Sequence, residues 1–395
     1  MKSLRKSEKQ APRSRFAVVV SSICLLVLTL SLSACHQDPP TADEIYKQEA
    51  SGVALVLTKY YYTLNLPKGK VFFFSGIDED GNLENMTSNL SEIKQHCAFQ
   101  TGTAFFIDKE GTLLTNRHVV LPSIDESQAK SSIMNVMRLL QEYCERQMSE
   151  LSDQYDELDE EKANSTVEGL FGLQTPDYAR VQQLEEQQKE LAEQYKQIKD
   201  TRDDIESQID PSGITIKPVC WIGLAYNDSY VETEDDFLKT NPCNLVRASD
   251  KENVDLALIQ LQSNQTPEKA YVFDLEGKTP ENSSFQWLES LFSGKKKEKG
   301  KYEMNQKLYL IGYNAGNFLA NTRRGIKVQM TSGCLTQLPD GERLLYSMPS
   351  MGGSSGSPVI DENGSLVGVN FAGMRNSDNF NFGIPLDNVR RFVND

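Results

Sequence analysis

The chain has 395 residues and a formal net charge of −15; 38% of it is hydrophobic, 9% aromatic and 25% charged. That apolar content supports real cores, and the length calls for two or three modules. So acidic a balance argues against a nucleic-acid binder, which needs a basic face to meet phosphates.

Residues 1–35 read as a targeting segment. "MKSLRKSEKQAPRSR" holds six Lys/Arg and one Glu, and "FAVVVSSICLLVLTLSLSA" follows as an apolar run ending in small residues. A basic stretch, an apolar core and a small-residue exit predict a secretory signal. Left uncleaved, the run is nearly long enough to anchor the chain across a bilayer. Its end, Leu32-Ser33-Ala34-Cys35, resembles a bacterial lipobox. That resemblance implies that Cys35 is lipidated, becomes the mature N-terminus and ties the chain to a membrane. Each buried acyl methylene adds roughly 0.8 kcal/mol to such an anchor. The expected location is the cell envelope, with the outer membrane or periplasmic face favoured over the cell surface. Loss of six basic residues and one acidic residue takes the mature chain near −20.

Residues 36–50 form a short polar tether. From 51 to 122, short runs rich in Val, Phe, Tyr, Thr and Ile ("GVALVLTKYYYTL", "KVFFFSGI", "QTGTAFFID", "GTLLTNRHVV") alternate with turn signals, as strands do. The pattern breaks at Pro122. Residues 125–210 hold 22 Asp/Glu against 9 Lys/Arg. Their apolar positions step by threes and fours: Met137, Leu140, Cys144, Met148, Leu151, Tyr155 and Leu158, then Val181, Leu184, Leu191, Tyr195, Ile198 and Ile205. Two such stripes around "ANSTVEGLFGLQTPD" predict an antiparallel helical hairpin over 123–211, coiled-coil in character and polar outside. It is either an inert exposed insertion or an arm for a protein partner or self-association. Strand patterning resumes over 212–275, and residues 276–395 hold a connector with the basic run "GKKKEKGK" followed by a second group of strands. "PLDNVRRFVND" closes the chain as a helix. Many short strands in two groups favour two similar β units.

Seven cysteines occur. Cys24 leaves with the signal and Cys35 carries the lipid. Cys97, Cys144, Cys220, Cys243 and Cys334 remain, an odd number, so at least one stays unpaired within the chain. Cys220 and Cys243 bracket one loop and are the best-placed disulfide pair. With three histidines and no C-x-x-C, no metal site and no cofactor are expected.

Acyl transfer by serine needs a hydroxyl, a base to take its proton, an acid to orient the base, and donors for the developing oxyanion. His36 lies in the tether and His96 in polar sequence. His118 ends an apolar strand just before a breaker; alone, it also suits a core histidine. Asp255 heads the strand "VDLALIQL", where a partly buried carboxylate needs a donor; alone, it also suits a strand cap. In "MGGSSGSPVIDENGSLVGVNFAG", glycines at 352, 353 and 356 permit backbone angles that side chains forbid. Pro358 stiffens the exit and "ENG" turns a following hairpin. Such a turn aims successive N–H groups into one hollow and singles out the serine flanked as Gly-x-Ser-Gly, Ser355.

"TGTAFFIDKEGTLLTNRHVV", "VDLALIQL" and "GGSSGSPVIDENGSLVGVNFAG" together resemble the three catalytic segments of the chymotrypsin-fold (trypsin-like) serine peptidases, closest to the bacterial HtrA-type branch. The order His, Asp, Ser is the family's. The resemblance implies a mainly β fold of two six-stranded antiparallel barrels with the site between them, the helical hairpin being an insertion in the first barrel. It implies a serine endopeptidase acting on proteins or peptides: Ser355 as nucleophile, His118 as general base and acid, Asp255 as orienter, and the N–H groups of Gly353 and Ser355 as oxyanion hole. Pro349 falls at the base of the family's specificity pocket, and Asn370, Phe371 and Ala372 fall on its wall. With no acid at that base, small or medium apolar P1 residues are expected.

Two departures stand out. Ser354 occupies the position where the family has Asp or Asn, and nothing follows the last helix that resembles the peptide-binding (PDZ) module of typical HtrA proteins. The competing reading is a catalytically silent or latent protease fold that binds partner proteins through its hairpin.

Overall fold

The computed structural model describes residues 39–251, 253–276, 302–373 and 381–395. The signal segment, Cys35 and the basic run at 294–301 lie outside them. Among the described residues no helix is long and apolar enough to cross a membrane.

Two closed six-stranded antiparallel barrels form the body. In the first, Val53–Asn65, Ala98–Phe106, Thr112–Thr115, Ala257–Leu261, Pro242–Ala248 and Thr215–Tyr226 follow one another around the ring, and Val71–Phe74 extends it beside the first strand. In the second the order is Lys307–Gly312, Gln329–Gln337, Leu344–Tyr346, Asn381–Pro385, Leu366–Gly373 and Pro358–Asp361.

The period-two alternation of a strand explains how the barrels meet. Ala54, Val56, Ala104, Phe106, Ala257 and Ile259 point into the first barrel. Their neighbours Val53, Leu55, Leu57, Phe105 and Leu258 point outward and are also buried, because Tyr309, Ile311 and Tyr313 of the second barrel pack against them. Leu308 and Leu310 alternate with those last residues and fill the second barrel's interior with Leu335, Leu344 and Tyr346. The unbroken run "VALVL" is thus a strand buried on both faces. The C-terminal helix Leu386–Asn394 docks Leu386, Val389 and Phe392 into the same shared core.

The helical arm joins the third and fourth strands of the first barrel in chain order, Thr112–Thr115 and Thr215–Tyr226. Glu126–Asn164, 39 residues, is about 58 Å long at 1.5 Å per residue. Tyr178–Glu206 returns antiparallel to it. Asp125 and Asp177 cap the two N-termini by accepting main-chain N–H groups, which those groups need because the first turn has no internal acceptor. The base of the arm packs Ala129, Ile133 and Met137 on Tyr62, Leu64, Phe74, Ile214 and Ile216. Farther out, the buried amide of Gln188 accepts from Lys162 Nζ (2.8 Å) and donates to Asp159. The stripe read from the sequence holds at Met137, Cys144 and Leu184, whereas Leu140 is 47% exposed.

Two expectations are corrected. The stretch 36–50 is not all tether: Ala42–Glu49 is a helix, opened by a reciprocal capping box between Thr41 and Glu44. It seats Ile45 and Ala50 in the shared core, and Tyr46 donates to Val328 O. Cys220 and Cys243 do not pair; both are free thiols. Cys243 lies opposite Ile222, two positions from Cys220, so the thiols sit on a diagonal rather than face to face. Diagonal neighbours are roughly 7–8 Å apart, too far for a bridge. Burial pushes the two thiols up, to about 11 and about 12 respectively.

Candidate active site

His118 is held by its surroundings on three sides. Strand Thr112–Thr115 runs into a single helical turn, Arg117–Val120. Gln100 Nε2 donates to the carbonyls of His118 (2.5 Å) and Val119 (2.8 Å), and Thr58 Oγ1 donates to Val119 O (2.7 Å). These bonds fix the carbonyl end of that turn.

Asp255 sits just before strand Ala257–Leu261 and reaches back to the same turn. One carboxylate oxygen, Oδ1, accepts the His118 main-chain N–H at 3.0 Å; the other, Oδ2, meets His118 Nδ1 at 2.5 Å. Asn116 Nδ2 donates to the Asp255 carbonyl at 2.7 Å. A carboxylate only accepts, so the proton shared with it belongs on Nδ1 and the Nε2 lone pair is left open. The His118 side chain is 42% exposed and that of Asp255 23%, so Nε2 is reachable while the carboxylate is partly dry.

Ser355 rides on two consecutive turns. Ser354 N–H donates to Met351 O (3.0 Å) and Ser357 N–H to Ser354 O (3.0 Å). The third residue of each turn is glycine with positive φ: Gly353 at +96° and Gly356 at +87°. A side chain fits at neither. A Cβ on Gly353 would lie 2.2 Å from Gly316 N, and one on Gly356 2.0 Å from Thr103 O and 2.6 Å from Thr115 Oγ1. The contact at Gly356 pins the seryl turn to the residues just before His118: the same Cβ would lie 3.2 Å from Asn116 N. His118, Asp255 and the Ser355 turn thus share one seam between the barrels. Ser355 is half-buried, its Oγ is bonded to no described residue, His118 included, and the N–H groups of Gly353 and Ser355 donate to no described residue either. Such N–H groups, on the same turn as an uncommitted hydroxyl, are the kind of donors that an anion can use.

Behind the turn, Ser354 and Asn370 divide one task. Ser354 Oγ donates to Met351 O (2.7 Å), and Asn370 Nδ2 donates to Ser354 O (3.0 Å) and Oγ (3.2 Å). Asn370 Oδ1 accepts from Tyr346 OH (2.7 Å), and Asn370 main-chain O accepts Gly356 N–H. Asn370 was expected on a pocket wall. Its amide is instead buried and bonded to Ser354 and Tyr346, bracing the serine turn.

Of the other pocket residues, Pro349 is exposed and its carbonyl accepts from Thr331 Oγ1 (3.0 Å). Phe371 is half-buried, its ring 6.3 Å from that of Phe382. Ala372 pairs through its backbone with Phe382. Two residues not singled out in the sequence complete this region: Ser350 Oγ donates to Asn381 Oδ1 (2.7 Å), and Asn381 Nδ2 donates to Met348 O (2.6 Å). Thr103, Gln100 and Asn116 were also missed; each works through contacts distant in sequence that no local motif announces.

Residues 224–369 match the family model of the trypsin-like peptidase domain. The match takes in Asp255 and Ser355 and begins beyond the arm, leaving His118 outside it. Among solved structures, the chain is similar to the serine endoprotease of Yersinia pestis, at 11% identity and a TM-score of 0.39, over 91% of this chain and 67% of that one. No curated protein matches. Two closed antiparallel barrels and the family match together give a trypsin-like peptidase fold.

Proposed function

We propose that the chain is a serine endopeptidase that cleaves peptide bonds through an acyl-enzyme. The observation that carries this is the two-point grip of Asp255 on His118, at both the main-chain N–H and Nδ1, beside a glycine turn with two free donors. In this reading His118 Nε2 takes the proton of Ser355 Oγ as the hydroxyl attacks the scissile carbonyl. The carbonyl oxygen, now negative, is received by the N–H groups of Gly353 and Ser355. Asp255 stabilises the imidazolium, which then protonates the leaving amine; water repeats the sequence to release the acyl group. The test is a fluorophosphonate probe: the wild type labels and Ser355→Ala does not. An unlabelled wild type would contradict the reading.

Small or medium apolar P1 residues follow from the pocket region. Ser350 and Asn381 are bonded to each other and the residue at the expected base of the pocket is Pro349, not an acid, which supports an apolar rather than a cationic side chain there. Peptide-library profiling tests this, and cleavage chiefly after Lys or Arg would contradict it. We further propose that lipid on Cys35 holds the enzyme in the cell envelope, outside the cytoplasm, where its protein substrates lie. Cys35→Ala should move it from the membrane to the soluble fraction.

A second reading keeps the fold as a scaffold with the arm as its working surface. It is favoured by the arm's tip, where Leu170, Phe171, Leu173 and Tyr178 are 67–97% exposed in one short stretch. An unlabelled wild type that associates with itself or another protein through the arm would support it.

A further inference from the structure

We propose that Thr103 is a positioning residue for the reaction: its hydroxyl clips the Gly353–Ser354 peptide to the first barrel and holds the oxyanion donors in register with His118. This rests on the peptidase reading above.

The three successive carbonyls of the serine turn are all pinned. Ser354 O is held from within the second barrel, by Ser357 N–H and Asn370 Nδ2. The other two are held by one residue of the opposite barrel. Thr103 Oγ1 donates to Gly353 O (2.9 Å), and Thr103 N–H donates to Ser355 O (2.8 Å). Thr103 is fully buried and its hydroxyl is used in both directions, since it also accepts Tyr313 N–H (3.1 Å). Its own carbonyl accepts Thr115 Oγ1 (2.7 Å). A continuous relay of contacts results. It runs from the Gly353 carbonyl through Thr103 to Thr115, whose neighbour Asn116 is bonded to Asp255, which grips His118.

The clip matters because of what it holds. Peptide planes on either side of a glycine rotate more freely than elsewhere, and Gly353 has φ +96°. Among the described residues its N–H has no partner, and the bond at its carbonyl restrains the local backbone from the His118 side. Val in place of Thr103 keeps the shape and removes the hydroxyl. It leaves the Gly353 carbonyl and the Tyr313 N–H unpaired in a buried place, and each can regain a partner only by turning its peptide.

The test compares Thr103→Val, Thr103→Ser and a control, Thr266→Val. Thr266 is a buried residue at the end of strand Thr112–Thr115 away from His118, and its hydroxyl likewise accepts from one main-chain N–H (Gly111) and donates to one carbonyl (Asp108). Thr103→Val should lower kcat and the rate of fluorophosphonate labelling by about 10- to 100-fold, a fraction of what losing an oxyanion donor outright costs. KM should change little, while affinity for a peptide boronate, which mimics the tetrahedral state, falls in step with kcat. Thr103→Ser should restore both, and Thr266→Val should lower thermal stability yet keep kcat. If Thr103→Val does not fold, Thr103→Ala carries the same expectation. The proposal is overturned if wild type labels while Thr103→Val labels as fast, if Thr103→Ser fails to restore kcat, or if Thr266→Val loses kcat equally. A wild type inert to the probe overturns both this proposal and the reading beneath it.

Discussion

Exchanging Asp255 for Asn isolates the feature on which the chemistry turns. The carboxylate accepts twice, from the His118 N–H at 3.0 Å and from Nδ1 at 2.5 Å. A carboxamide of the same shape has one acceptor and one donor. With the oxygen kept on the main-chain N–H, the NH₂ group faces Nδ1 and drives the ring proton to Nε2. The ring then presents a donor to Ser355 and has nothing with which to take its proton. Loss of the orienting carboxylate in a Ser-His-Asp site lowers kcat about 10⁴-fold, or roughly 5.4 kcal/mol at 1.36 kcal/mol per factor of ten. The fold should tolerate the change, because the Asp255 side chain is 23% exposed and the amide keeps the main-chain bond. The assay is kcat on a peptide substrate beside a thermal melt. Asp255→Asn within tenfold of wild type, at unchanged Tm, would refute the reasoning.

Three further outcomes are expected. Gly356→Ala forces a Cβ to within 2.0 Å of the Thr103 carbonyl at a φ of +87°, so both Tm and labelling should fall, the unfavourable backbone alone costing about 1–2 kcal/mol; an Ala variant with wild-type Tm would contradict the packing. Glu49 is buried, and desolvation together with the Asp361 charge pushes its carboxyl up to about 8. Unfolding then releases a proton between the ordinary value of 4.5 and about 8. Stability should therefore be full below that window and decline as pH rises through it, and Glu49→Gln should flatten the decline in melts from pH 4 to 9. Reductant should leave the Tm unchanged, since Cys220 and Cys243 are free thiols; a drop on reduction would show a bridge.

Much of this molecule was readable along the chain because its signals are local. The β-branched and aromatic run "VALVLTKYYYTLN" marks a strand, and threes-and-fours spacing in the arm marks its helices and part of their seam. The glycines of the serine turn are required by two positive-φ corners. What escaped depends on partners far away in sequence. Thr103 meets Gly353 across 250 residues, and nothing near "TGTAFF" announces it. The resemblance placed Asn370 on a pocket wall, but its amide lies buried behind the turn, bonded to Ser354. Leu140 fits the helical count yet sits one position off the seam that Cys144 and Met137 define. The helix at Ala42–Glu49 did carry a local signal, Thr41-x-x-Glu44, hidden by the polarity of its outer face.

The central claim is an acyl-enzyme on Ser355. Acid-quenching a peptide-ester reaction during turnover and weighing the intact protein tests it most directly. The account predicts an added acyl mass that peptide mapping assigns to Ser355, absent in Ser355→Ala. Turnover without any adduct, or undiminished turnover in Ser355→Ala, would contradict it.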